Sequence, residues 1–342
     1  MGEEGSVSIP DQQVGVTWPA GRSDGLVISL DLEGNLNYFQ PHSDKPVRVV
    51  RGHQKAINAA AATPSSKTLW TGSAEGRTRA WDLTSGAADS IDGQAHSNYV
   101  SSLSASSGRI YSVGWDDSLR SIDAATKTFT GSATKTDGQP KSVAVAQVQG
   151  KEITLVASIN GLTLYTDDGQ EASKHKLPSA PTCVAAAGGI AATGSDDKTI
   201  RIFKLSSPPS LSPIAELKDA TSPISTLAFS ADGTHLAAGL ANGKIFVYAG
   251  SSGGDWKLET NRWSAHTARV TSIAWSPDGT KAVSGALDTN VFVWSLADPG
   301  KRVKAMNAHK EGVGAVVWAE EGRVVSCGAD AAVKVWKVEG VP

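Results

Sequence analysis

Cysteine is almost absent. Cys183 and Cys327 are the only two in 342 residues, and each sits in a short strand-like apolar pattern in a different part of the chain. That usage excludes a disulfide framework and leaves two buried, inert thiols as the expectation. Long apolar runs are missing too. No stretch reaches the roughly 18 residues that span a bilayer. The first twenty residues, MGEEGSVSIPDQQVGVTWPA, lack the basic start and apolar core of a secretory leader, and no Asn-x-Ser/Thr acceptor occurs. Neither sign of charge dominates: 32 Lys+Arg against 34 Asp+Glu leaves −2. A balance like that gives no reason to expect nucleic acid or an anionic membrane as partner. Helix-like apolar periodicity is also lacking. The expectation is a cytoplasmic, all-β chain, and its length is ample for a large core.

What the chain does contain is repetition. Residues 265–298, AHTARVTSIAWSPDGTKAVSGALDTNVFVWSLAD, break into an Ala-His opening, an alternating strand, a Pro-Asp-Gly turn, a second strand, a tight turn and a third strand ending near Trp294. AHKEGVGAVVW…VVSCGADAAVKVW (308–336) and GHQKAINAAA…LWTGSAEGRTRAWD (52–82) repeat it, and AHSNYVSSLSA…IYSVGWDDSLRSID (95–123) is a looser copy. Three further copies lack the histidine and open at Pro140, Pro181 and Pro223. With His53, His96, His266 and His309 these anchors recur at steps of 41 to 44 residues. A period in the low forties with this content marks WD-repeat propellers, in which radially stacked four-stranded antiparallel sheets bury faces that no sheet could bury alone.

Eight first strands can be counted, near residues 14, 57, 100, 142, 182, 224, 270 and 313, and the chain ends after a third strand. An early outer strand must therefore complete the last sheet. PVRVVR (46–51) is longer and more β-branched than SVSI (6–9), so it is the expected closer. That choice gives a seven-bladed propeller over 46–342, with 1–45 left over; closure by SVSI would give eight blades.

Several stretches are more specific than the repeat. DQQVGVTW (11–18), GNLNYF (34–39) with KPVRVVRGHQKAI (45–57), QPKSVAV (139–145) and IAWSPDG (273–279) with VFVWSLADPGKRVK (291–304) and AHKEGV (308–313) resemble the actin-interacting protein 1 family, in order and over essentially the whole chain. That family is built from two seven-bladed propellers, and this chain resembles its C-terminal half. The resemblance implies that residues 14–40 match the last blade of the first propeller and 46–342 the complete second one. It implies a binding protein rather than an enzyme, active on cofilin-decorated actin filaments and promoting their disassembly in the cytoplasmic actin cytoskeleton. It also implies that the missing propeller carries much of the actin contact. A monomer is expected. The alternative is a generic WD-repeat scaffold in another multiprotein complex.

His266, Ser284, Asp288 and Trp294 recur as His309, Ser326, Asp330 and Trp336, with His53, Ser73, Glu75 and Trp81 as a variant. A Ser-His-Asp triad would have this composition. A catalytic set need occur only once, however, and one that returns in unit after unit reads as a structural hydrogen-bond chain. The histidines belong to separate units and cannot converge on one ion, so no metal or cofactor is expected. GSSGG (250–254) fits Gly-x-Ser-x-Gly, but the following residues read as a strand where a nucleophile elbow needs a helix. Partner contacts are expected where the loops before first strands and between second and third strands share one face: Asn98, Tyr99, Trp115, Asp196, Arg269, Leu287 and Glu311.

Overall fold

The computed structural model describes residues 2–8, 13–17, 27–31, 35–39, 48–51 and 57–62 as strands, together with 68–82, 88–106, 108–309, 312–318, 323–328 and 332–338. Within these residues there is no helix, so none is long and apolar enough to cross a membrane. The alternating segments of the sequence form antiparallel strands gathered four to a sheet.

Sheet one holds Gln13–Thr17, Val27–Asp31, Asn35–Phe39 and Arg48–Arg51. Sheet two holds Ile57–Ala62, Thr68–Ser73, Thr78–Asp82 and Ala88–Ser90. Sheet three runs Val100–Ala105, Arg109–Gly114, Ser118–Asp123, Thr128–Lys135, and sheet four Pro140–Val148, Lys151–Ser158, Gly161–Thr166, Glu171–Lys176. Sheet five runs Pro181–Ala187, Ile190–Ser195, Ile200–Ser206, Ser210–Leu217, and sheet six Ile224–Phe229, His235–Leu240, Lys244–Ala249, Lys257–Ser264. Sheet seven runs Val270–Trp275, Lys281–Ala286, Val291–Ser295, Arg302–Ala305. Sheet eight joins Val313–Trp318, Arg323–Gly328 and Ala332–Lys337 to Gly2–Ser8. First strands of successive sheets lie side by side, and Gln13–Thr17 touches both Val313–Trp318 and Ile57–Ala62, which closes the ring.

The closing strand differs from the expected one. Gly2–Ser8, not 46–51, pairs with the third strand of sheet eight, from Gly2↔Lys337 to Ser8↔Ala332. Arg48–Arg51 pairs instead with Asn35–Phe39. The pairing is thus that of the eight-unit alternative. Its physical reason is burial. Three strands between 13 and 39 present two faces that need neighbours, and a fourth strand close behind them in sequence closes at the smaller entropic cost.

Sheet-to-sheet packing follows from residue size. Core clusters lie between neighbours: Ile202, Leu217, Ile224, Leu236 and Phe246 join sheets five and six, and Val283, Val293, Val313 and Val324 join seven and eight. At one place on the second strand a glycine admits a β-branched side chain from the next sheet. A Cβ on Gly285 would stand 2.4 Å from Val313, one on Gly194 2.5 Å from Ile224, and one on Gly72 2.5 Å from Val100. Only glycine allows that approach.

Candidate functional site

The recurring polar set forms a buried chain of hydrogen bonds. In sheet seven the Trp294 indole donates to Ser284 Oγ at 2.8 Å, and Ser284 lies 2.8 Å from His266 Nε2. His266 Nδ1 meets the Asp288 carboxylate at 2.9 Å, and the Thr267 amide donates to the same carboxylate at 2.8 Å. One arrangement of protons satisfies every atom: indole N–H to Ser284, the Ser284 hydroxyl to Nε2, and Nδ1–H to Asp288. Burial alone would raise the Asp288 carboxyl; the bonds from His266, Thr267 and Asn290 outweigh it and hold the carboxyl below its ordinary value. The hydroxyl is thus engaged on both sides within the core, and the chain ties the loop before the first strand to the second and third strands.

Sheet eight repeats the inner half, with His309 Nε2 at 2.9 Å from Ser326 and Trp336 donating to Ser326 at 2.9 Å. Asp330 lies outside the described residues, as do His53 and Glu311; Trp81 is described only as part of its strand. Sheet three carries a version that the sequence did not yield as a tetrad. His96 bonds Ser112 at 2.9 Å and Asp116 at 2.8 Å, with Ser118 donating to the same carboxylate. Its tryptophan place is taken by Ile122, which faces Ile110 as Trp294 faces Ala282. Losing the tryptophan hid this copy; the GWDD run after its second strand is the signal that could have found it.

Two expectations shift by register. Ser73 pairs with Ile57 as Ala286 pairs with Val270, so Thr71 occupies the serine place of sheet two. Ser73 instead accepts the Glu75 amide and closes the turn. By the same register the histidine place in sheets four, five and six belongs to Thr136, Leu177 and Ala220, each four residues before its first strand, rather than to Pro140, Pro181 and Pro223. GSSGG is a turn. Ser251 donates to Asp255, the Trp256 indole donates to the Ser251 carbonyl, and the strand Lys257–Ser264 follows.

The expected partner face is an exposed rim. In several sheets the amide of the residue after the second strand donates to the carbonyl of the residue before the first: Trp115 to Tyr99 at 2.8 Å, Ile159 to Gln139 at 3.0 Å, Leu287 to Arg269 at 3.0 Å. Tyr99 and Trp115 also pack ring to ring, with centroids 4.7 Å apart. Asn98, Asp196 and Arg269 are exposed on the same side. Among the described residues the exposed large apolar side chains are Trp115 (46%), Ile159 (45%), Leu287 (53%) and Met306 (54%). The first three occupy one register place in three sheets. Met306 joins them, because its neighbour Asn307 bonds Asn290 in the turn that follows Leu287. All four therefore gather at one end of the ring. Ile159 and Met306 carry no loop signal in the sequence and emerge only from their exposure.

The WD domain, G-beta repeat matches residues 44–82, 211–249, 257–295 and 300–337. The chain is 34% identical over 334 residues to the 66 kDa stress protein of Physarum polycephalum, covering 97% of this chain and 54% of that one. It is 33% identical over 338 residues to actin-interacting protein 1 of Drosophila melanogaster, covering 98% of this chain and 54% of that one. The chain belongs to the actin-interacting protein 1 family. It spans about half the length of these curated relatives. The propeller shape reaches beyond the family: Chaetomium thermophilum Sqt1, solved with the N-terminus of ribosomal protein L10, superposes with a TM-score of 0.79 at 20% identity over 98% of this chain and 99% of that one. That likeness concerns the fold alone.

Proposed function

We propose that this chain is a binding propeller acting on actin filaments, monomeric, cytoplasmic and associated with the actin cytoskeleton. In this reading it works with cofilin in filament disassembly and is not an enzyme. The observation that carries the binding role is the gathering of Trp115, Ile159, Leu287 and Met306 at one end of the ring. Exposed apolar side chains concentrated on one face, with an aromatic pair at Tyr99 and Trp115, suit a protein interface. Family membership and the relatives' names supply the partner. Asn98, Asp196, Arg269 and Glu311 are the polar residues proposed to surround the contact.

Cosedimentation with filamentous actin, with and without cofilin, tests the reading. Pelleting that requires cofilin and is lost in Trp115→Ala supports both the partner and the rim. A folded chain that never pellets overturns the actin reading for this chain.

A further inference from the structure

A second place on the ring is built to receive something. Between sheets six and seven the outer seam is filled by three tryptophans: Trp263 stacks on Trp294 at 5.7 Å and packs on Trp275 at 5.8 Å. Strand register identifies the same three places between sheets four and five, where they hold His175, Phe203 and Ala186. His175 meets Phe203 edge-on at 5.0 Å, but an imidazole, a phenyl ring and a methyl group cannot occupy the volume of three indoles. A cleft of about 420 Å³ lies against His175 and Phe203, walled further by Pro178, Pro213, Ile214 and Ala215, and open to solvent.

The charges around it are uneven. Arg201 is bound by Asp197 at 2.8 Å and Glu216 at 3.2 Å, and Glu216 is further held by Lys218 at 2.7 Å. The carboxylates of this cluster are thus already engaged. Lys176, on the cleft's edge beside His175, is exposed and makes no ion pair among the described residues. An apolar slot that lacks an indole and carries one free ammonium group complements an aromatic side chain next to a carboxylate.

We infer that this cleft between Glu171–Lys176 and Ser210–Leu217 binds a partner polypeptide segment carrying one large aromatic residue flanked by acidic ones. The aromatic ring completes the seam as Trp263, Trp275 and Trp294 complete the other, and the flanking carboxylate faces Lys176. The site is independent of the apolar rim and does not rest on the actin reading.

Titration calorimetry of the whole chain with acetyl-Asp-Asp-Trp-Asp-Asp-amide tests it, with the Trp→Ala peptide alongside. Saturable binding of the first peptide only is expected. Lys176→Glu, an exposed change that leaves the core intact, should weaken it on the order of tenfold, since one favourable pair becomes a repulsion. Leu287→Asp on the rim should leave it unchanged. Absence of saturable binding at millimolar peptide would overturn the inference. So would equal binding of the Ala peptide, indifference to Lys176→Glu, or loss on Leu287→Asp.

Discussion

Trp294 donates its indole hydrogen to Ser284 at 2.8 Å, and both side chains are buried. In sheet five the same two places hold Phe203 and Thr193, and the histidine place holds Leu177. The Thr193 hydroxyl, fully buried, has lost both partners and bonds nothing. Sheet six went further: its serine place is Ala238 and its histidine place Ala220, so the hydroxyl at the serine place is gone.

Thr193→Val should therefore stabilise the fold, by about 1 kcal/mol, because it removes a desolvated hydroxyl at nearly constant shape. Ser284→Val should act oppositely, since it strands the Trp294 N–H and His266 Nε2. Denaturant midpoints of the two variants, measured side by side, check both signs.

Asp288→Ala should destabilise by about 1–3 kcal/mol, chiefly by leaving the buried His266 Nδ1 unpaired. Its carboxyl is held below the ordinary value when folded. The stabilisation is therefore complete above the ordinary carboxylate range and is lost as pH falls through the depressed folded value. Thermal melts of wild type and Asp288→Ala should converge as the solution is acidified; a constant gap would contradict the ionic role.

The two Pro/Ala-Asp-Gly-Thr turns offer a second acid test. Asp232 and Asp278 are each lowered to about 2, chiefly by the hydroxyls of Ser230 and Ser276, with the amide and hydroxyl of the following threonine adding to this. Both contributions exist above about pH 4 and disappear as pH falls toward 2. The double variant Asp232→Asn, Asp278→Asn should flatten the melting-temperature profile across that window and leave its slope near neutrality unchanged.

Gly285→Ala should cost about 1–3 kcal/mol through overpacking, because the added methyl would sit 2.4 Å from Val313 and 2.9 Å from Val316. A second change, Val313→Ala, should recover part of the loss by clearing the same space. Equilibrium unfolding of the single and double variants measures the recovery.

Trp115→Ala and Leu287→Asp sit on the rim and should leave the melting temperature within about 2 °C of wild type, as surface changes usually do. Each should still weaken pelleting with cofilin-decorated filaments. A variant that melts normally and binds normally would remove its residue from the contact.

Much of the fold was legible because its signals are local. Alternation over five or six residues marked the strands, and the first strand expected near residue 270 begins at Val270. The link from His266 to Ser284, Asp288 and Trp294 was legible from fixed offsets, since one unit supplies all four. Where the offset signal decays, register departs from it: Thr71 rather than Ser73 holds the serine place, and Thr136, Leu177 and Ala220 rather than the three prolines hold the histidine place. Proline at Pro140 and Pro181 opens a first strand and is conspicuous in a sequence, whereas an apolar residue at a formerly polar place is silent.

The sequence by itself determined the repeat, the strand order within each unit, the buried polar chain and the balance of charge, because each depends on residues within one period. Tertiary structure decided which outer strand closes the ring, since Gly2–Ser8 and Arg48–Arg51 are both short strands and only competition for a distant edge separates them. It also decided where the seams are full and where they are open. Whether His175 and Phe203 leave a gap depends on two sheets meeting across it, and no pattern within either sheet carries that information.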